Sequence, residues 1–110
     1  MQTVNGHSEA LAALRAGCTE LISPPYAACH AGTGYYVALL TRLRECWTGE
    51  AFRFTLCCGD DPATAHHALA MGIPSIRYLG DAGYLPLLES VAEAHHAELI
   101  RSGIYARTTP

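Results

Sequence analysis

The chain has 110 residues, of which 50% are apolar and 15% charged, and all seven basic residues are arginine. This size and composition fit one globular domain and exclude a disordered, charge-rich chain. A net charge of −3 without a clustered basic stripe argues against a nucleic-acid-binding surface. The absence of lysine excludes a Schiff-base lysine, a P-loop lysine and a Ser-Lys dyad.

The beginning of the chain and its cysteines predict a cytoplasmic protein. Residues 1–8 lack the basic and apolar regions of an export signal, and no apolar run approaches the roughly 18 residues that span a bilayer. Five cysteines without a CxxC spacing favour reduced thiols over a disulfide framework or a zinc site. We expect Cys18, Cys46 and one member of the Cys57-Cys58 pair to be buried as small apolar residues.

Four segments repeat the order helix, short break, strand. They are residues 8–17 then 19–23, 34–47 then 52–58, 62–72 then 75–79, and 84–95 then 97–101. Gly17 and Gly72 stand where a helix ends in a left-handed residue, and Asp61-Pro62 is typical of a helix start. Two helices carry apolar stripes at i, i+3, i+4, i+7 spacing. The stripes are Tyr36, Leu39, Leu40, Leu43 and Trp47, and then Tyr84, Leu87, Leu88, Val91 and His95.

This alternation predicts a single α/β domain over residues 1–110, with about four mostly parallel strands and right-handed crossovers. Both Rossmann-like and half-barrel-like layers fit the pattern, and the strand order stays open. Residues 1–4 can add a short edge strand, and residues 107–110 are expected to fray.

The loops that follow the strands are the expected place for a ligand, because the carboxyl ends of parallel strands gather at one edge. These loops are residues 23–34, 58–61, 80–83 and 102–105, and they contain every aspartate of the chain. We expect Asp61 and Asp81 to cap helices or contact a ligand. Asp60 is the candidate for a carboxylate that faces a ligand or cation.

The first of these loops is the longest and carries most of the candidate binding residues. Tyr26 offers an aromatic ring, and Cys29 and His30 follow it closely. Gly32, Thr33 and Gly34 then lead into a helix, whose first backbone amides favour a small anion. The sequence lacks the third glycine of a dinucleotide-binding motif, so no cofactor is predicted.

Two adjacent histidine pairs do not predict a metal site. Neighbouring residues on a helix point about 100° apart, and no HExxH motif is present. His66 and His67 are expected on the surface or in an interface, whereas His95 continues an apolar stripe and is expected to pack in the core.

Three functions fit these observations. The first is binding of a small anionic metabolite at the carboxyl ends of the strands, through Tyr26, Cys29, the segment 32–34, Asp61 and Asp81. The second is a small hydrolase or transferase in which His30 activates Cys29 or Cys58 and Asp60 orients the imidazole. The third is a self-associating structural or interaction protein. A homodimer is compatible with all three, because a small domain with few charges leaves apolar surface exposed.

Overall fold

The computed structural model describes residues 2–101, in which helices and strands alternate as predicted. The strands are β1 (Gln2–Thr3), β2 (Glu20–Ile22), β3 (Arg53–Cys57), β4 (Ser75–Arg77) and β5 (Glu98–Ile100). The helices are α1 (His7–Arg15), α2 (Ala27–Ala31), α3 (Thr33–Cys46), α4 (Pro62–Ala70) and α5 (Leu85–Ala94), and a 3₁₀ turn (Ala82–Tyr84) precedes α5. The α/β class is confirmed with five described strands rather than four. The loop 102–105 and the tail 107–110 lie outside the described residues.

The five strands form one parallel sheet whose spatial order follows the chain, β1-β2-β3-β4-β5. A doubly wound sheet reverses its direction at a switch point, and this order contains no reversal. Right-handed crossovers that all advance in one direction place the helices on one face of the sheet. The layers therefore follow the half-barrel-like arrangement of the two that the sequence allowed.

The helical face of the sheet carries the hydrophobic core. Four strand residues, Leu21, Phe54, Leu56 and Ile76, and Tyr78 just after β4 belong to one buried cluster with residues of the helices. The Tyr36 ring of α3 stacks on Phe54, with centroids 5.9 Å apart. The predicted α3 stripe is confirmed, because its four residues before Trp47 are buried. Trp47 itself is half-buried at the end of the helix.

The opposite face of the sheet is more polar and receives no described helix. Ile22 and Thr55 are neighbours in register there, and the Thr55 hydroxyl lies 2.9 Å from that of Ser75. Arg77 is 6% exposed on the same face, in register with Cys57. The strands of parallel sheets are normally apolar on both faces, so the polar residues on this face are unusual. Because the Thr55 and Ser75 hydroxyls are buried away from water, each needs the other as a hydrogen-bond partner.

The α5 stripe is wrong in part. Leu88 is buried, but Leu87 is 55% exposed, Tyr84 is 48% exposed and His95 lies exposed at the end of the helix. Tyr84 ends the 3₁₀ turn, which advances about 120° per residue instead of 100° and so shifts the phase of the pattern. The expected core position of His95 is therefore incorrect.

The cysteines and glycines give mixed outcomes. Cys57 and Cys58 are both buried. Cys18 is only half-buried and Cys46 is exposed on α3, contrary to the expectation that both are buried. Gly17 and Gly72 have φ values of 95° and 91°, which confirms their left-handed conformation after α1 and α4.

Within residues 2–101, no helix is long and apolar enough to cross a membrane.

Candidate functional site

Asp61 and Asp81 both cap the segments that follow them. The Asp61 carboxylate accepts hydrogen bonds from the Ala63 backbone N–H at 3.0 Å and from the Thr64 hydroxyl at 2.8 Å, which fixes the start of α4. The hydrogen bond from Thr64 is the main reason that the pKa of Asp61 lies below its ordinary value. Asp81 accepts from the Gly83 N–H at 2.7 Å, so it caps the 3₁₀ turn rather than α5 itself.

The Tyr78 hydroxyl lies where the aspartates of the described edge converge. It donates to the Asp81 carbonyl oxygen at 3.0 Å. Burial raises the pKa of Tyr78 first, and the negative charges of Asp81, Asp60 and Asp61 raise it further. This part of the edge is therefore acidic. Within residues 2–101, no three His, Cys, Asp or Glu side chains are arranged to hold a metal ion.

The segment 23–34 is not the open loop that the sequence predicted, because α2 forms inside it. Tyr26 precedes α2 in the left-handed conformation, with φ 59°. Its backbone N–H donates to the Cys57 sulfur at 3.3 Å. Its ring lies so close to Gly59 that a Cβ atom there would clash with it. Both contacts join the start of α2 to the end of β3. Pro24 and Pro25 precede α2, but Tyr26 stands at its cap position and no side chain caps the helix, so it was not predicted from the sequence.

Cys29 and Cys58 come together at this edge. The Cys29 thiol donates to the Cys58 carbonyl oxygen at 3.5 Å. Burial raises the pKa of Cys29, the Asp61 and Asp60 charges raise it further, and interaction with the Thr64 side chain opposes them. Burial also raises the pKa of Cys58 strongly. Both sulfurs are therefore held as thiols at neutral pH, which disfavours the nucleophilic role.

No hydrogen bond or ion pair links His30 to the other members of the predicted catalytic set within the described residues. Its side chain is exposed on α2 and makes no hydrogen bond or ion pair within the described part of the chain. Asp60 is also exposed, and its charge acts on Cys29 rather than on an imidazole. Cys29 therefore lies close to Cys58 and Asp60, and the role of His30 as the base stays a prediction.

The start of α3 keeps the features that predict an anion site. Gly32 donates its N–H to the Ala28 carbonyl of α2 at 3.1 Å, and Thr33 is buried. Gly34 and Tyr35 are exposed in the first turn. No side chain caps this 14-residue helix, whereas Asp61 caps α4. Anion binding by Gly32, Thr33 and Gly34 stays a prediction.

A groove between α4 and α5 lies beside this edge and was not found from the sequence. It has a volume of about 440 Å³ and is lined by Pro62, Ala63, His66, Tyr84 and Leu87. Pro62 and Tyr84 come just after the carboxyl ends of β3 and β4, so the groove belongs to the edge where the strands end. The α5 sequence did contain a feature that could have predicted the groove. It has more large apolar residues than one core-facing stripe can bury, so some of them must lie at the surface.

A second depression, of about 590 Å³, lies on the outer surface of α3. Its walls come from that helix alone, at Ala38, Thr41, Arg42, Glu45 and Cys46. These residues occupy the second half of a helix that runs back from the carboxyl ends of the strands, so this depression lies away from the candidate site. A ligand site normally draws its polar groups from several elements, and this depression does not.

No protein family, curated protein or solved structure matches the chain. The geometry of the residues is therefore the basis for a functional proposal.

Proposed function

We propose that the protein binds a small organic anion in the groove between α4 and α5, at the edge where the strands end. The groove itself is the observation that carries this proposal. Its volume of about 440 Å³ falls within the usual range for small-molecule sites, which is roughly 300–1,000 Å³. Tyr84 and Leu87 are among the most exposed large apolar side chains described, and a bound ligand would remove both from water.

The residues around the groove define the chemistry of the ligand. Ala63, Tyr84 and Leu87 offer apolar surface to a ring or branched carbon skeleton. The His66 imidazole and the Tyr84 hydroxyl can each donate a hydrogen bond, which suits a carboxylate on that skeleton. The Asp61 and Asp81 charges oppose an anion, although each carboxylate already accepts a backbone N–H. The ligand's carboxylate is therefore expected on the His66 side of the groove.

Three probes with one ring system test the proposal and the charge of the ligand. Indole-3-acetate, indole and tryptamine are titrated into ¹⁵N-labelled protein while amide NMR shifts are followed. We expect the Ala63, His66 and Leu87 amides to shift, with indole-3-acetate binding most tightly. Tighter binding of tryptamine would show that the aspartates set the charge preference and would contradict the anionic class. Unchanged amides with all three probes would contradict the groove as a site for ring compounds.

A pair of surface variants locates the site. Leu87→Ser removes part of the apolar wall and should weaken indole-3-acetate binding about fivefold, as expected for roughly 40 Å² of lost apolar contact. Met71→Ser removes another exposed large apolar side chain just after α4, away from the groove residues, and should leave binding unchanged. Equal weakening in both variants would show nonspecific apolar binding.

The other two functions have less support. The thiol-dependent hydrolase or transferase would need His30 to reach Cys29 or Cys58, and the raised pKa values of these thiols work against it. The homodimer stays a prediction from composition, which sedimentation of the full chain can test. Binding in the groove requires neither.

A further inference from the structure

We infer that Cys29 and Cys58 form a disulfide bond when the protein meets a hydroperoxide. The inference is independent of the proposed ligand groove. It rests on the contact between the Cys29 sulfur and the Cys58 carbonyl oxygen, which are 3.5 Å apart although the two residues are 29 positions apart in the chain. The Cys29 sulfur thus contacts the peptide group of Cys58, and a disulfide needs the Cα atoms about 4.4–6.8 Å apart.

The faces of the sheet select Cys58 over its neighbour. Cys58 belongs to the core cluster on the helical side, where Ala27 and Ala28 of α2 also pack. Cys57 is absent from that cluster, because adjacent strand residues point to opposite faces. The Cys57 sulfur accepts the Tyr26 N–H at 3.3 Å, ahead of α2. Because Cys29 belongs to α2, it lies on the helical side of the sheet, which is the side that Cys58 faces.

The remaining two thiols lie elsewhere and serve as internal controls. Cys46 is exposed at the end of α3, away from the carboxyl ends of the strands. Cys18 lies between α1 and β2, where its thiol donates to the Glu20 carbonyl oxygen at 3.4 Å. Neither makes a contact with Cys29 or Cys58 within the described residues.

The reaction is balanced with hydrogen peroxide as the oxidant. Above neutral pH, where a larger fraction of the exposed Cys29 is ionised, its thiolate attacks one peroxide oxygen, the O–O bond breaks, and Cys29 becomes a sulfenic acid as hydroxide leaves. The Cys58 thiol then attacks the Cys29 sulfur and the S–S bond forms, while the sulfenic oxygen takes the Cys58 proton and leaves as water. The proton that Cys29 released on ionising neutralises the hydroxide from the first step. Two thiols lose two hydrogen atoms, and one peroxide is reduced to two waters.

Peptide mapping of the oxidised full chain tests the inference. The reduced protein is treated with hydrogen peroxide at about pH 9, where more of each thiol is ionised, then alkylated and cleaved after arginine with trypsin. Cys29 falls in the peptide 16–42 with Cys18, and Cys58 falls in the peptide 54–77 with Cys57. We expect these two peptides to be joined in the monomer, with fragmentation assigning the bond to Cys29 and Cys58.

Single serine variants decide the assignment. Cys29→Ser changes an exposed residue and should abolish the joined peptides, whereas Cys18→Ser and Cys46→Ser should leave their yield unchanged. Joined peptides that persist in Cys29→Ser would overturn the inference. So would a bond assigned to Cys57, a bond found between two chains rather than within one, or all five thiols remaining alkylated after oxidation.

Discussion

The guanidinium of Arg53 on β3 spans β4 and binds Glu98 on β5, with one nitrogen 2.6 and 3.0 Å from the two carboxylate oxygens. The same guanidinium lies 3.8 Å from Glu20 on β2. One arginine therefore links three strands on the sheet face that receives no described helix. The side chains of Arg53 and Glu98 are each nearly half exposed, so solvent screens most of their attraction.

Glu98→Gln should lower the free energy of unfolding only slightly, by about 0.5 kcal/mol, because exposed ion pairs contribute little. Urea unfolding at low and high salt measures the effect, which should shrink in 1 M NaCl as the charges are screened. Glu89→Gln is the control, since Glu89 is exposed and forms no ion pair within residues 2–101. A loss that does not depend on salt would show that packing, not charge, is affected.

The buried pair of hydroxyls at Thr55 and Ser75 should be strongly coupled, because both residues are fully buried and 2.9 Å apart. Ser75→Ala leaves the Thr55 hydroxyl without this partner and should cost about 1–2 kcal/mol in urea unfolding. Adding Thr55→Val removes the hydroxyl that Ser75→Ala leaves without this partner. The free energy of unfolding should therefore fall by less in the double variant than the sum of the two single decreases. Strictly additive losses would mean that the hydroxyls act independently.

The cap at Asp61 should make stability depend on pH. Its pKa is lower in the folded state, so its charge stabilises the fold above the ordinary aspartate range, near pH 4, and this contribution is lost as pH falls through the folded-state value. Asp61→Asn keeps a capping oxygen but removes the charge. At pH 7 its Tm should be roughly 3 °C below that of the unchanged protein. The difference should close as pH falls through the folded-state pKa of Asp61, and a difference that persists once the carboxyl is protonated would assign the effect to hydrogen-bond geometry.

The anion site at the start of α3 can be tested with inorganic phosphate. The exposed amides of Gly34 and Tyr35, and that of Thr33, should shift in NMR spectra as phosphate is added, because no side chain caps this helix. The amides of Ala63 and Thr64 at the start of α4 provide the control, since Asp61 already occupies that end. Equal shifts at both helix starts would indicate nonspecific anion effects and contradict a site at Gly32, Thr33 and Gly34.

Much of the fold follows from local signals in the sequence. Asp61-Pro62 begins α4 as predicted, and Gly72 ends that segment in the left-handed conformation. Cap residues and glycines act on their immediate neighbours, so their effects can be inferred from a short stretch of chain. The α5 stripe failed in part because Tyr84 belongs to the 3₁₀ turn before the helix. Leu87 lies inside α5 but beside the buried face, which runs through Leu88 and Ala92, and is therefore exposed.

Local signals in the sequence predicted only part of the candidate site. The sequence placed Asp60, Asp61 and Asp81 at one edge because parallel strands all end there. It could not place His66 and Leu87 across a groove, because that groove depends on how α4 packs against α5. It also could not show that the sulfur of Cys29 contacts the peptide of Cys58 at the end of β3.

The sequence by itself determined the alternation of helices and strands, the class of the fold and the edge at which the aspartates gather, since each depends on periodicity or on neighbouring residues. The tertiary structure decided the strand order, and with it the single helical face of the sheet. It also brought Cys29 to Cys58 and aligned Thr55 with Ser75. Those relationships join residues far apart in the chain, and long-range packing, which no short stretch of sequence encodes, is what sets them.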